Sequence, residues 1–344
     1  MLVSVEQISK YHPDKYADQI SDAILGAAYA INPNAKVAVE TMVKDRTVIL
    51  AGEISGVVLP ELRLRKIVVA VADSLNYRVS QVINLIGVQS VEIKNAVEAY
   101  GEVNAGDQGI MVGYATRKTP SGLPFGMDLA NKIIATIEDL VPEGIIKGDA
   151  KTQVTYDDVT LEVHKVVVSA CHHTNTSLES LKDYLNQKLW HLVDIKKLII
   201  NPAGAWHIGG PEADAGLTGR KIVADQYGPT VPVGGGAFSG KDLTKVDRSG
   251  AYVARNMALD VLKGFDVEEV TIQLAYIIGK THPISMAVKC DKGDEWNQII
   301  RRWLSKYYDL SVEGLIKSLN IQPQDYVKIA AGCHYRNKYV GEWN

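Results

Sequence analysis

Residues 36–54 read KVAVETMVKDRTVILAGEI, two β-rich arms on either side of the polar turn Lys44-Asp45-Arg46. This pattern predicts a β-hairpin. The preceding segment, DKYADQISDAILGAAYAI (14–31), has the apolar spacing of an amphipathic helix, and Pro13 suits its first turn. A second helix is predicted in ELRLRKIVVAVADSL (61–75), so this part of the chain is predicted to fold as helix, hairpin, helix.

The same order of elements recurs twice further along the chain. A helix, a hairpin and a helix are predicted in 126–141, 152–170 and 177–193, and again in 247–265, 271–288 and 294–310. The three rounds start near residues 13, 126 and 248, a spacing too long for a solenoid repeat. We therefore predict an α+β protein of three similar units in a pseudo-threefold arrangement, each a small sheet with helices on one face. The predicted units are 1–90, 103–209 and 210–344.

Composition places the chain among ordinary globular proteins and argues against several classes of function. Of its 344 residues 46% are hydrophobic and 22% are charged, and the net charge of −3 gives no global case for binding nucleic acid or an anionic membrane. The three cysteines lack CxxC spacing, which argues against a disulfide framework or a cysteine-based zinc site. The first residues lack the apolar stretch of a signal peptide, and no apolar run approaches the ~20 residues that span a bilayer. We therefore expect a cytoplasmic protein.

The stretch GGGAFSGKD (234–242) raises the question of a phosphate-binding loop. The spacing of Gly235, Gly240 and Lys241 is close to that of a Walker A loop. Asp242, however, stands where that loop needs Ser or Thr for Mg²⁺, and the preceding TVPV is short for the buried strand that should come before it. A glycine-rich surface turn and a different kind of phosphate loop are the alternatives.

Segments that mix cations with carboxylates gather outside the predicted helices and strands. They are HPDK (12–15), NAGDQG (104–109), GDAK (148–151), DAGLTGRK (214–221) and GGGAFSGKDLTKVDR (234–248), with Glu40 and Glu53 on the first hairpin. A polyphosphate–Mg²⁺ site needs this mixture, because carboxylates hold hard metal ions while Lys and Arg neutralise phosphate. Glycines let backbone N–H groups approach anions closely. Each segment alone could be a helix start, a turn or a solvated strand, so the indication rests on their occurrence together.

Five longer motifs resemble those of one family, both in their residues and in their order along the chain. They are HPDKYADQISDA, NAGDQGIMVGYAT, DAKTQVT, GLTGRKI and GGGAFSGKDLTKVDRSGAY, and they resemble methionine adenosyltransferases, also called S-adenosylmethionine synthetases. The resemblance runs from about Glu6 to AAGCHY near residue 335. It implies that ATP, L-methionine and water give S-adenosylmethionine, phosphate and diphosphate, with two Mg²⁺ and K⁺ as cofactors. It also implies that Lys241 is a polyphosphate ligand on a loop unrelated to Walker A.

The resemblance implies roles for individual residues at matching positions. The catalytic group would be His12, Arg220 and Lys241. Contacts to ATP and its triphosphate would come from His12, Lys15, Asp149, Lys151, Trp206, Asp214, Arg220, Lys221, Ala237, Lys241 and Lys245. Contacts to methionine would come from Glu53, Gln89, Asp107, Asp214 and Lys245, with 89–99 as a gating loop. The metal ligands would be Asp14 and Asp247 for Mg²⁺ and Glu40 for K⁺.

Several positions depart from the family's pattern. Lys10 replaces an acid, Asn104 replaces a glycine, Ala205 replaces an arginine, and Arg117-Lys118 replaces a more acidic pair. Asn104 is interpreted as the non-glycine residue that best tolerates a left-handed turn. These changes leave two alternatives to an active transferase: a divergent paralogue that keeps only triphosphate hydrolysis, and a non-catalytic regulatory subunit. His172-His173 lacks metal-binding spacing and is interpreted as structural or exposed.

We also expect a homodimer in which the two subunits share each active site. Arms such as RTVILAGEI (46–54) and EVTIQLAYIIG (269–279) do not alternate cleanly, which suggests sheets buried on both faces. Helices suffice for one face of each sheet only, and the family resemblance implies sheets packed across a dimer interface. The alternative is that the three sheets cover each other within one chain as a competent monomer. Pairing of dimers into tetramers is left open.

Overall fold

The computed structural model describes residues 1–88, 103–337 and 340. In these ranges the chain is a mixed α+β protein with three sheets. The helices are α1 Pro13–Tyr29, α2 Glu61–Ser74, α3 Phe125–Glu138, α4 Leu178–Leu189, α5 Val246–Gly264, α6 Asp294–Tyr307, α7 Val312–Ser318 and α8 Tyr326–Ala330. The strands are β1 Leu2–Ile8, β2 Lys36–Lys44, β3 Thr47–Ser55, β4 Gln81–Gly87, β5 Gly109–Thr116, β6 Ile146–Asp157, β7 Val163–His172, β8 Leu198–Ile200, β9 Gly216–Leu217, β10 Glu269–Tyr276 and β11 Ser285–Cys290.

Each predicted helix and hairpin is present, because each is specified by residues close in sequence. The β2–β3 hairpin turns at Asp45, which has a positive φ of 52°. Helix α1 begins at Pro13, and the side chain of His12 caps it by accepting a hydrogen bond from the backbone N–H of Asp14. Helix α4 begins in the same way, since the Ser177 hydroxyl accepts from Ser180 N–H.

The sheets differ from the prediction that each unit forms its own sheet. Strand β1 pairs antiparallel with β6, β5 pairs with β10, and β9 pairs with β2. Each of the ranges 1–90, 103–209 and 210–344 therefore lends one strand to the sheet of another range, in a cyclic exchange. The reason is that a lone two-stranded hairpin is only marginally stable, so each sheet gains from further strands.

Helices cover one face of every sheet. Helix α1 packs on β2, α3 on β6 and β1, α5 on β5 and β10, and α6 on β11. The buried apolar side chains form two cores. One core lies beneath the N- and C-terminal sheets together, and the other lies between α3, α4 and the central sheet.

The opposite faces of the sheets are less covered within one chain. Along β2, buried Val37 and Val39 alternate with Ala38 and Glu40, which are half-buried and exposed. Apolar side chains such as Met42 and Leu85 are exposed, the latter at 64%. In the described ranges no helix combines the length and the apolar character needed to cross a membrane.

Candidate active site

A cluster of charges surrounds the first turn of α1. Asp14 is 1% exposed, and its carboxylate accepts hydrogen bonds from Lys221 Nζ at 2.5 Å and from Leu217 N–H at 2.9 Å. Arg220 Nε lies 3.4 Å from the same carboxylate. Burial alone would raise the pKa of Asp14, but these bonds and the positive charges outweigh it and hold the pKa below its ordinary value. Asp14 is therefore ionised at neutral pH, as an oxygen ligand for a hard cation must be.

His12 lies beside this cluster as a neutral imidazole. It is buried, and burial together with the charges of Lys151 and Lys221 lowers its pKa from 6.5 to about 3. Nδ1 accepts the hydrogen bond from Asp14 N–H at 3.1 Å, so the ring proton is on Nε2. The side chain can therefore donate one hydrogen bond from Nε2 without carrying a charge.

We predict that His12 does not titrate between about pH 5 and 8, where an unperturbed histidine changes charge. The unfolded chain binds this proton near pH 6.5 and the folded chain does not, so stability should fall as pH drops below that value. The check is nitrogen NMR of histidine-labelled protein, with the His12 signal assigned by a His12→Asn variant. A His12 ring that takes up its proton near pH 6.5 would contradict this geometry.

A cavity of about 290 Å³ has in its wall a carboxylate on whose pKa the charge of Asp14 acts. Its wall includes Asp149, Lys147, His207 and Gly210. Asp149 is 5% exposed, and one carboxylate oxygen accepts from Gly210 N–H at 2.7 Å, while the other has no hydrogen-bond partner among the residues that the structure describes. Burial raises the pKa of Asp149 to about 6, and the Gly210 bond offsets part of this effect. A buried, unpartnered carboxylate oxygen of this kind suits a ligand that brings hydrogen-bond donors.

The glycine-rich loop forms a second cluster, centred on an ion pair. Lys241 Nζ lies 2.5 Å from an oxygen of Asp247. Both line a cavity of about 830 Å³ together with Asp107 and Ala237, a size within the range of small-molecule sites. A methyl group built on Gly219 would lie 2.6 Å from Ala237 Cβ, so this loop touches the loop that carries Arg220 and Lys221.

The loop is not a Walker A loop. Asp242 is fully buried and accepts hydrogen bonds from Val37 N–H, from Thr244 and from Lys245 Nζ, instead of facing phosphate or Mg²⁺. Helix α5 begins at Val246, not directly after Lys241. Residues 240–242 instead run along the edge of β2, where Lys241 bridges to Ala38.

The other predicted site residues are spread more widely. Lys151, Asp214 and Asp107 are exposed at the two clusters, and the charges of Lys151 and Asp214 act on the pKa of His12. Glu40 and Glu53 point to the open face of the N-terminal sheet. Gln89 and the predicted gating loop lie outside the described residues.

The structure does not bring Lys15 to the surface of the site. Its side chain is 1% exposed, and its ammonium lies 3.0 Å from Asp18 and 2.6 Å from Asp225. Burial would lower the pKa of Lys15, but these two carboxylates raise it, so the ammonium is a buried charged group. Its contacts support α1 from within the protein.

Trp206 is half-buried, and its indole N–H donates to Ile208 O at 2.6 Å. Its backbone N–H donates to His172 Nε2, while His172 Nδ1 bonds to Thr176 O at 2.9 Å. The sequence left open whether His172 is structural or exposed. It is fully buried, which agrees with a structural role. Its function in placing the Trp206 loop was not foreseen, since nothing in the local sequence links these positions.

The positions of the carboxylates indicate how the site could hold a metal ion. Among the described residues, no group of three or more His, Cys, Asp or Glu side chains could hold a metal ion. Asp14 and Asp247 instead lie apart, each next to a lysine. This arrangement fits Mg²⁺, which is usually held by one or two carboxylates together with phosphate oxygens of a substrate.

Models of the three S-adenosylmethionine synthetase domains match successive parts of this chain. The N-terminal domain matches residues 1–101, the central domain 102–206 and the C-terminal domain 208–344. The chain belongs to the S-adenosylmethionine synthetase family. The resemblance in the motifs is thereby confirmed over the whole length.

Individual relatives named S-adenosylmethionine synthase agree with this assignment. The protein from Nitratiruptor sp. is 38% identical, over 97% of this chain and 92% of its own length. That from Borreliella afzelii is 37% identical, over 98% and 93%. That from Wolinella succinogenes is 36% identical, over 97% and 92%.

The departures from the S-adenosylmethionine synthetase pattern have local partners. The Lys10 ammonium lies 5.2 Å from the centre of the Tyr11 ring. The Arg117 guanidinium donates to carbonyls at the end of α5, which is a favourable place for a cation, and Lys118 lies 3.6 Å from Glu269. Ala205 is exposed.

The interpretation of Asn104 was wrong in one respect. The non-glycine residues of the described chain with positive φ lie elsewhere, so Asn104 does not need left-handed backbone. Asn104 is buried, at 5% exposure. Its backbone conformation does not explain why asparagine stands here instead of glycine.

Proposed function

We propose that this chain is a methionine adenosyltransferase, which joins ATP and L-methionine to give S-adenosylmethionine. The observation that carries the proposal is the contact between two cationic loops, 216–221 and 234–241, each with a carboxylate paired to a lysine. A triphosphate has the charge, and the length, to lie across both loops. Lys and Arg would neutralise its oxygens, and backbone N–H groups of the glycines would approach them closely.

The reaction needs alignment and charge stabilisation more than an activated nucleophile. The methionine sulfur attacks C5′ of ATP, the S–C5′ bond forms, and the C5′–O5′ bond breaks with its electron pair on the leaving triphosphate. Water then splits the triphosphate into phosphate and diphosphate. Lys221, Arg220 and Lys241 would stabilise the charge on the departing group, and His12 would donate from Nε2 to the departing oxygen. The 290 Å³ cavity with Asp149 would hold the nucleoside.

Asp14 and Asp247 are the carboxylates that would hold Mg²⁺, and Glu40 would serve K⁺. When bound, Mg²⁺ would neutralise further negative charge on the triphosphate. The two lysines that pair with these carboxylates in the structure would then turn to phosphate oxygens. Glu53, Asp107, Asp214 and Lys245 are the proposed methionine contacts.

The open sheet faces favour a homodimer with shared sites, and a cytoplasmic location stays a proposal from the sequence. Glu53 and Glu40 lie on the open face of the N-terminal sheet, beside apolar Met42, Ile49 and Ala51. The cavity at Lys241 is walled in part by the open face of the C-terminal sheet, through Gln273 and Ala275. A second copy packed on these faces would cover the sheets and enclose the site. Two-fold pairing is the commonest closed association.

We also propose the pseudo-threefold arrangement of the units 1–90, 103–209 and 210–344. The cyclic exchange of β1, β5 and β9 supports it, because each unit stands in the same relation to the next.

The two alternatives are not favoured. Relatives that match nearly the whole chain carry the synthase name. Support also comes from the pairing of Lys221 with Asp14 and of Lys241 with Asp247. A regulatory subunit would not need this set of charges.

Incubation with ATP, methionine, Mg²⁺ and K⁺ tests the proposal through its products. We expect S-adenosylmethionine, phosphate and diphosphate, with no sulfonium compound when methionine or the divalent metal is omitted. Phosphate from added tripolyphosphate without any sulfonium product would favour the divergent paralogue. Neither product would favour the regulatory subunit, and ADP or AMP as the nucleotide product would overturn the account.

A further inference from the structure

Three aspartates lie along one face of α1, because Asp14, Asp18 and Asp22 are spaced by four residues. All three are at most 1% exposed. Each carboxylate accepts a hydrogen bond from a backbone N–H of one of the two cationic loops: Asp14 from Leu217 at 2.9 Å, Asp18 from Gly219 at 2.9 Å, and Asp22 from Gly240 at 2.8 Å. One helix face therefore holds both loops from beneath.

Strand β2 holds the same two loops from the side. Its residues Met42 and Val43 pair with β9 in the first loop. Further along the same edge, Val39 N–H donates to Gly240 O at 3.0 Å. The two loops are thus neighbours on one strand edge and on one helix face, and their spacing is set by residues of α1 and β2.

The charges of Asp18 and Asp22 are balanced inside the protein. Asp22 forms a two-pronged pair with Arg248, with both N···O distances at 2.7 Å. The Arg248 guanidinium also donates to Lys241 O at 3.2 Å. Arg248 directly follows Asp247 in the sequence. Asp18 bonds to Lys15, which also bonds to Asp225. Such two-pronged pairs fix geometry as well as charge.

We propose that Asp18 and Asp22 are positioning residues for the transferase reaction. Asp22, through Gly240 and Arg248, sets the place of Lys241 and Asp247, while Asp18 sets the place of the loop that carries Arg220 and Lys221. Their function is to fix the separation of the two cationic loops along the triphosphate. The inference rests on the proposed triphosphate site.

Asp22→Asn is the direct test, with Tyr252→Phe as its matched control. An asparagine can still accept from Gly240 N–H, but it leaves the buried guanidinium of Arg248 without its carboxylate. Tyr252 is equally buried, and its hydroxyl accepts from Arg248 Nε at 3.1 Å. Its ring packs against Phe238 of the second loop, with 5.3 Å between ring centres, and phenylalanine at this position keeps that ring contact. Both variants therefore remove a buried contact of the same arginine.

The readouts are calorimetric binding of inorganic tripolyphosphate with Mg²⁺, and the KM for ATP and for methionine. For Asp22→Asn we expect binding of tripolyphosphate to weaken about tenfold or more, because small misplacements at such sites are costly. The KM for methionine should rise less than the KM for ATP, since Glu53, one of the proposed methionine contacts, lies on a separate sheet face. For Tyr252→Phe we expect lower thermal stability with tripolyphosphate binding within about twofold of the unchanged protein.

Equal tripolyphosphate affinity in the folded Asp22→Asn variant and the unchanged protein would overturn the inference. So would parallel losses in both variants, which would indicate general destabilisation. If Asp22→Asn fails to fold, Arg248→Lys replaces it: this variant keeps the cation but loses the two-pronged pair, and unchanged tripolyphosphate affinity would overturn the inference. No binding by the unchanged protein would instead remove the proposed triphosphate site itself.

Discussion

Replacing Lys241 with alanine is expected to lower kcat by about 10²–10³ while the protein stays folded. Lys241 lies on the glycine-rich loop, and its ammonium forms an ion pair with Asp247 at 2.5 Å. Its ammonium would stabilise charge on the departing triphosphate, which develops only as the C5′–O5′ bond breaks. Loss of a fixed charge aimed at the transition state lowers kcat more than it alters substrate affinity.

Lys263→Ala is the control for this variant. Lys263 is on α5, is 52% exposed and lies 3.9 Å from Asp260, so its removal also takes away one ammonium next to a carboxylate. Steady-state kinetics and thermal unfolding should show normal turnover for Lys263→Ala and a normal fold for both variants. Near-normal turnover in folded Lys241→Ala would make GGGAFSGKD a structural turn.

Mixing two inactive variants, Glu53→Gln and Lys221→Ala, is expected to restore activity. Lys221 belongs to the cluster at the start of α1, whereas Glu53 lies on the open sheet face that a partner would cover. If one subunit's Glu53 completes the partner's site, a mixed dimer holds one intact site and one doubly altered site. Random pairing then gives roughly a quarter of the normal activity, since half of the dimers are mixed.

The controls are each variant alone and the double variant Glu53→Gln/Lys221→Ala, which should all stay inactive. Sedimentation of the mixture establishes that dimers form and exchange subunits. Exchanging dimers without restored activity would show that each chain holds a complete site. A monomer with undiminished specific activity on dilution would contradict the shared site in a second way.

The local elements of the fold could be predicted because their signals are local. The β2–β3 hairpin and α1 depend on alternation, turn residues and a capping position within a few residues of each other. The exchange of β1, β5 and β9 could not be predicted in this way. Those strands pair with partners far away in sequence, such as Val5 with Val154, and no local pattern specifies that partner.

The residues of the site could be predicted from motifs, whereas the buried ion pairs beneath them could not. Asp14, Lys221 and Lys241 occur in motifs with many charges, and the structure places them in two adjoining clusters. Lys15 belongs to the same HPDK motif but is buried against Asp225. The motif does not reveal this burial, because Asp225 is 210 residues away in the sequence. The same limit applied to Asp22, whose partner Arg248 is on another helix. Long-range pairs between buried charges leave no spacing that a single sequence reveals.

The bond that breaks in ATP tests the central claim most directly. ATP labelled with ¹⁸O at the oxygen between C5′ and the α-phosphorus is incubated with methionine, Mg²⁺, K⁺ and the full chain, and the label is located by mass spectrometry. The account predicts C5′–O5′ cleavage, with the label entirely in phosphate plus diphosphate and none in S-adenosylmethionine. Label retained on the adenosine moiety, as ADP, AMP or adenosine, would mean cleavage at phosphorus and would contradict the account.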